Sequence, residues 1–528
     1  MEFDYVIVGG GSSGCVLAAR LSEDPAVRVC LVEAGAQDDS ILIKVPVGAA
    51  LLVPTRNRNW AFDTVPQPGL GGRCGYQPRG KTLGGSSSIN AMIYMRGHPS
   101  DYDDWAALGA TGWAWKDVLP YFLRAENNER GRSELHAIGG PLNVAEINTP
   151  NPFAHLFVEA AKHAGLPENP DFNGREQEGV GFYQVTQKNG ERWNAARAYL
   201  HPALGRANLA VMTDTTALRV LFKGKRATGL EVERGGKTEA LHAAREVTLC
   251  AGAFQSPQLL MCSGVGPAAH LQERGIGVVS DSPEVGANLQ DHVDYINNRR
   301  VASTDLLGLS LGGTVRFGRE ILRWRRERRG MLTSNFAEAG GFVKSGPGLA
   351  RPDLQLHFVI AMVDNHARTM HLGHGYSCHV CVLRPKSRGS VRLSGADTRS
   401  PPVIDPQFLA APEDMEGMKR GFKLVRRILD APPLAPFNAK EFYTAKVHTD
   451  AEIESAILER ADTIYHPVGT CRMGSDERSV LDPGLRVRGV ERLRVVDCSV
   501  MPTLIGGNTN APAIMIGEKA ADMIRAGT

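Results

Sequence analysis

Phe3-Asp4-Tyr5-Val6-Ile7-Val8-Gly9-Gly10-Gly11-Ser12-Ser13-Gly14 is an apolar run that empties into a glycine turn. A helical pattern follows through Val16, Leu17, Ala19 and Leu21. A second apolar run, Val27 to Val32, then ends in Glu33. Strand, GxGxxG, helix, strand and acid is the order of a dinucleotide-binding βαβ unit. Gly9 permits the sharp turn, Gly11 the approach of a pyrophosphate, and Gly14 close packing of helix on strand. Ser12 and Ser13 open the helix, whose free N–H groups and positive dipole end suit phosphates. Glu33, followed by Ala34, lies 24 residues after Gly9, where a carboxylate reaches an adenosine ribose. That carboxylate disfavours a 2′-phosphate, which leaves NAD and FAD open.

The remaining bulk properties narrow the class. A chain of 528 residues exceeds one ordinary core, so two or more domains are expected. A net charge of +3 gives no reason to expect nucleic acid as a partner. No stretch reaches the ~20 apolar residues of a membrane span. No secretory-type leader precedes the first strand, which points to the cytoplasm. Nine cysteines without framework spacing fit reduced thiols. Cys378 and Cys381 lie three apart in a strand-like run and therefore face opposite ways, so they read as core residues; no metal site is expected.

Further along, Leu209 to Val220, Ala227 to Glu233 and Glu246 to Leu249 read as antiparallel strands. Phe342-Val343, Leu354 to Met362, Ser377 to Leu383 and Ser390 to Leu393 read as a second sheet. Helices are expected at 414–429, 450–461 and 511–524, with a strand at 493–496. Val315 to Gly330 carries seven arginines interleaved with Phe317, Ile321, Leu322 and Trp324. Such a helix is either solvated or able to lie peripherally on an anionic membrane face.

Two long segments carry a family resemblance. Gly80-Lys81-Thr82-Leu83-Gly84-Gly85-Ser86-Ser87-Ser88-Ile89-Asn90 and Gly252-Ala253-Phe254-Gln255-Ser256-Pro257-Gln258-Leu259-Leu260 resemble the two signatures of the glucose-methanol-choline (GMC) flavin oxidoreductases. His466-Pro467-Val468-Gly469-Thr470 and Gly507-Asn508-Thr509-Asn510-Ala511-Pro512 are similar to that family's active-site blocks. The resemblance implies an α/β, two-domain chain: a Rossmann-like FAD domain and a discontinuous substrate domain built on an antiparallel sheet. The expected divisions are 1–155, 192–297 and 462–528 for FAD, and 156–191 and 298–461 for substrate. It also implies that Leu83, Gly85 and Ser86 follow the cofactor, that Asn90, Ala91 and Met92 lie near the flavin, and that Val220 lies by the adenine. Ala251, Asp497, Thr509 and Ala511 complete the expected cofactor contacts. Some members carry a covalently flavinylated histidine where this chain has Ile89, so FAD is expected to be held non-covalently.

Alcohol oxidation needs a base at the hydroxyl, a group to hold its oxygen and a dry pocket, because the flavin N5 takes the hydride. His466 is expected to be the base and Asn510 the neutral orienting amide. Choline-oxidising relatives carry a glutamate after a Gln-Asp-His triplet. Counting on from Gln290-Asp291-His292 puts Arg300 there, a cation that would repel choline. The chain most resembles bacterial alkanol dehydrogenases, with sorbose and polyethylene glycol dehydrogenases close by. The resemblance therefore implies an uncharged primary alcohol with an apolar or polyether tail as substrate, and a quinone-type acceptor. An oxygen-using oxidase, a polyol, polyether or choline dehydrogenase of the same family, a redox-neutral lyase or photodecarboxylase on the same fold, and a NAD enzyme are the competing readings.

Overall fold

The computed structural model describes residues 1–527. The strands that position the site are β1 (Glu2–Val8), β2 (Val29–Val32), β3 (Gly179–Phe182), β4 (Leu209–Met212), β5 (Thr215–Lys223), β6 (Arg226–Arg234), β7 (Lys237–Leu249), β8 (Val293–Val301), β9 (Ala337–Val343), β10 (Leu354–Val359), β11 (Gly373–Val382) and β12 (Leu493–Val495). The helices that flank them include α1 (Ser12–Leu21), α2 (Pro152–His163), α3 (Gly252–Cys262), α4 (Leu311–Glu327), α5 (Pro412–Leu429), α6 (Asp450–Arg460) and α7 (Asn510–Ala526).

The first sheet runs β4-β2-β1-β7-β6-β5, with β12 also on β7. β4, β2, β1, β7 and β12 are parallel, and β5 and β6 join antiparallel. Parallel strands need helices on both faces, which is why β2 is wholly buried and β1 nearly so. α1 packs across α7 at small residues, Gly517 lying against Ser13 and Val16. Glu518 of α7 is fully buried, its charge met by Arg20 and Arg124 and by the Tyr199 hydroxyl. The single strand expected over 209–220 is two: Asp214, at φ 49°, breaks it, and the first half joins the parallel set.

The second sheet is antiparallel and contains β8-β11-β10-β9-β3 in that order. Its period-2 pattern divides two environments. Leu354, Leu356, Phe358, Cys378 and Val380 face a core shared with α2 and α5, including Phe157 and Phe422. His357, Val359 and His379 face the opposite way, into a cavity. Cys378 and Cys381 accordingly sit in different core clusters. Ser390–Arg392 leaves this sheet and pairs with Val403–Asp405 alone. In α4 only Trp324 is buried, its indole N–H donating to the Gly190 carbonyl at 2.8 Å.

Candidate active site

One cavity of about 450 Å³ lies between the two sheets. Its first end is lined by Gly9, Gly11, Ser12, Ser13, Glu33, Ala34, Thr215, Thr216 and Ala217. Gly9 has φ 99°, and a Cβ there would meet the Cys250 carbonyl at 2.5 Å. A Cβ on Gly14 would lie 1.9 Å from the Gly9 carbonyl, so Gly14 serves helix–strand packing and does not line the cavity. Glu33 accepts from the Gly10 and Gly35 amides at 2.8 and 2.7 Å, and burial raises its carboxyl pKa to about 7.

Three helices begin at this cavity: α1 after Gly11 and α7 after Thr509 have no side-chain cap, and α3 after Ala251 has its first amide, Gly252, held by Asp497. Gly11, Ala251 and Thr509 all line it. The two uncapped positive helix ends at one elongated space form a site for a polyanion. Gly85 passes so close that a Cβ there would meet the Gly11 Cα at 2.7 Å. Ser86, Asn90, Ala91 and Met92 continue the same wall. Asp497 lines it too, accepting from the Gly252 amide at 2.9 Å and the Ser256 hydroxyl at 2.6 Å. These residues fit FAD: a diphosphate at the helix ends, a ribose at Glu33, and a wall of glycine and serine that admits a flat ring.

Three expected cofactor residues lie elsewhere. Leu83 is core, filling the space beside Gly10. Val220 is core as well, its amide taken by the Ser263 hydroxyl at 2.8 Å; β5 leaves the cavity after Ala217. Ala511 is turned into the core, because the helical period puts Asn510 and Ala513 on the cavity face instead. Ile89 lines the cavity and is buried.

At the second end stands His466, buried and aimed by an unusual turn. Tyr465 holds φ 75°, an uncommon conformation for a bulky residue, and its amide donates to Thr463 Oγ1 at 2.7 Å. The His466 amide donates to Asp291 Oδ1 at 2.8 Å. His466 Nδ1 lies 2.9 Å from His292 Nδ1, and His292 Nε2 lies 3.0 Å from the Leu383 carbonyl. A carbonyl only accepts, so neutral His292 carries its proton on Nε2 and offers a lone pair at Nδ1. His466 must then donate from Nδ1, which leaves its Nε2 lone pair facing the cavity. Burial pushes the His292 pKa down to about 4. Burial, His292, His357 and Arg79 together hold His466 well below the ordinary histidine range, so both rings stay neutral.

Asn510 does not meet His466. It opens α7 and its Oδ1 accepts from the Ser12 hydroxyl at 2.8 Å, at the diphosphate end. Asn508, two residues earlier in the loop, holds the place at His466: its amide nitrogen lies 3.2 Å from His466 Nε2. Gln355 fixes that orientation by donating to Asn508 Oδ1 at 2.9 Å. Both asparagines stand in the quoted Gly507–Pro512 block, so the missing signal was the helix start that separates them. His292 stands in the Gln290-Asp291-His292 triplet and was passed over.

Arg300 is likewise outside the site. It is exposed and stacks over Phe442, 4.8 Å from the ring centre. The carboxylate of this strand that turns inward is Asp294, whose Oδ2 lies 2.7 Å from His379 Nδ1. Six residues separate the two, roughly 20 Å along a strand. The charge argument against choline therefore has no basis in the site.

The comparisons with known proteins agree with this architecture. Two family models, each described as GMC oxidoreductase, match residues 3–294 and 385–517. The chain is 48% identical over 526 residues to "Alcohol dehydrogenase [acceptor]" of Pseudomonas putida, covering 99% of this chain and 95% of that protein. It is 44% identical over 542 residues to the mitochondrial choline dehydrogenase of Homo sapiens, covering 99% and 90%. Among solved structures, pyridoxine 4-oxidase from Mesorbium loti superposes with a TM-score of 0.89 at 33% identity, over 99% of each chain. The uncapped helix ends, the glycine-lined cavity and the neutral His466 beside Asn508 have their explanation in that kinship: the chain belongs to the GMC oxidoreductase family and is an FAD-dependent oxidoreductase acting on an alcohol-type substrate.

Proposed function

We propose that the protein oxidises a primary alcohol to its aldehyde, with His466 as the base and Asn508 as the group that holds the hydroxyl oxygen. Two-electron acceptance from the alcohol carbon is the chemistry that bound FAD supplies. The observation that carries this reading is the Nε2 lone pair of His466 facing the cavity beside the Asn508 amide. His466 Nε2 takes the hydroxyl proton. The substrate hydroxyl takes the place of the Asn508 N–H that this nitrogen accepts in the free site, and the Asn508 amide donates instead to the alkoxide oxygen as charge develops on it. Val359, Ala361, Met362, Phe336 and Ile464 enclose the space and keep water from the proton transfer.

With Arg300 removed from the argument, choline returns as the second reading. Relatives named choline dehydrogenase support it, as do the rings of Phe336 and Tyr465 on the cavity wall, which suit a quaternary ammonium. For the acceptor we propose a quinone-type compound, in keeping with the relative named for an unspecified acceptor. The test is anaerobic flavin reduction by primary alcohols and by choline, followed by reoxidation with a quinone analogue or with oxygen. A flavin that no alcohol reduces sinks the reading; faster reoxidation by oxygen than by quinone makes the protein an oxidase.

We also propose that α4 rests on an anionic membrane face. Leu311, Val315 and Leu322 are exposed among its arginines, and Leu372 and Met370 are exposed nearby. Basic side chains contribute about 1 kcal/mol each at such a surface. Sedimentation with anionic but not neutral vesicles, weakened by salt, is the expected result; equal binding to both kinds would refute it.

A further inference from the structure

The catalytic chain just described leaves two cavity-facing histidines unused. His357 of β10 and His379 of β11 are directly paired across their strands, so their side chains stand next to each other on the cavity face. His357 is 3% exposed, and neither ring nitrogen has a hydrogen-bond partner among the described residues. His379 is 8% exposed; Nδ1 is engaged by Asp294 and Nε2 has no partner among the described residues. Around them the same wall is built from Val359, Ala361 and Met362. A buried imidazole without a partner is costly, and two adjacent ones are costlier. His366, also on this wall, is different: Tyr465 and Asp462 satisfy both its nitrogens.

We infer that His357 and His379 form a subsite for a second hydroxyl on the substrate, so that the protein's preferred alcohols are diols or polyols. The inference rests on the alcohol oxidation proposed above and adds the class of alcohol. Three alternatives fit the pair less well. An alkyl tail leaves every one of these nitrogens unpaired. A quaternary ammonium carries no N–H and cannot donate to a lone pair. A carboxylate brings only acceptors. A hydroxyl donates one hydrogen bond and accepts others. It can therefore donate to His379 Nε2 and accept the N–H of neutral His357; burial pushes the His357 pKa down to about 3, which keeps that ring neutral. If Asp294 holds the shared proton instead, His379 presents N–H to the cavity, and the same hydroxyl accepts it. Asp294 thus fixes the orientation of His379, with no contact of its own to the cavity.

The test compares kcat/KM for unbranched alkan-1-ols and the α,ω-diols of the same length, from two to six carbons, in the FAD-loaded enzyme with one quinone analogue. At the chain length that spans His466 to the pair, the diol should exceed the mono-alcohol on the order of ten-fold or more. His357→Phe and His379→Phe should each bring that ratio close to one, and His357→Gln, which keeps a donor and an acceptor, should restore part of it. A merely structural role would lower both substrates together and leave the ratio unmoved. Wild-type ratios within two-fold at every length overturn the subsite, as does choline outpacing every diol. A ratio unchanged in both phenylalanine variants overturns it as well. If one of these variants loses FAD, the other variant and the wild-type series decide. Oxidation of neither series removes the alcohol reading itself, an outcome distinct from equal oxidation of both.

Discussion

Replacing His292 with leucine removes the acceptor that holds the His466 proton on Nδ1. In that variant, the Nδ1–H of His466 is a buried donor without a partner, which costs about 1 to 3 kcal/mol. The tautomer with its proton on Nε2 escapes that cost but cannot act as the base. At 1.36 kcal/mol per factor of ten, the competent form falls about 5- to 150-fold. The upper end lies within the ~10²- to 10⁴-fold typical for loss of a general base. The assay is anaerobic stopped-flow reduction of bound FAD by a saturating alcohol, repeated across pH. A second consequence separates the relay from simple loosening. His292 contributes to the depression of the His466 pKa, so its removal shifts the low-pH break of the rate profile upward. A reduction rate within two-fold of wild type, with an unmoved break, would refute the tautomer argument.

Asn508→Ala should slow flavin reduction by about 10²-fold, as loss of an oxyanion donor does, whereas Asn510→Ala should leave that step nearly intact and weaken FAD retention through the lost Ser12 contact. Stopped-flow rates and FAD content after gel filtration distinguish them; the reverse pattern would restore Asn510 to the chemistry. FAD should leave the polypeptide intact on acid precipitation, because Ile89 offers no nucleophile to the flavin, and yellow pellets would contradict this. His357 should also make stability depend on pH. Its folded pKa of about 3 lies below the ordinary 6.5, so the unfolded chain binds the extra proton and stability is lost as pH falls below 6.5. Between pH 6.5 and 4.5 this amounts to about 2 kcal/mol, which His357→Leu should abolish. Parallel pH–stability curves for the two proteins, measured by denaturant unfolding, would contradict the assigned shift.

The glycine turn after β1 was readable because glycine at Gly9 and Gly14 answers a steric demand that no other residue meets. Such demands leave a mark in a single sequence. The orienting amide was not readable from the block alone. Asn508 and Asn510 are two apart, and only the start of α7 decides which one turns toward α1 and which stays in the loop beside His466. Arg300 was misplaced for a related reason: counting residues from a motif ignores the 3.3 Å that each adds along a strand. His357 and His379 give no sequence signal, since they meet only through the register of β10 on β11. Val220 and Leu83 were drawn toward the cofactor because signature residues and residues that support them look alike in sequence.

The single buried anchor of α4 has a practical consequence. A 17-residue helix that buries Trp324 and is otherwise tied by Arg316 to Asp305 and by Glu320 to the Met331 amide has little buried surface to oppose local opening, so its amides should exchange with solvent long before those of the sheets. It also presents an arginine every few residues from Arg316 to Arg329, which makes it the natural first target for trypsin. The nick would fall between β8 and β9, both held in one sheet, so the fragments should stay together and keep their FAD. A lipid surface over α4 would shield those bonds. The rate of this one cleavage, with and without vesicles, therefore becomes a footprint of where the protein sits.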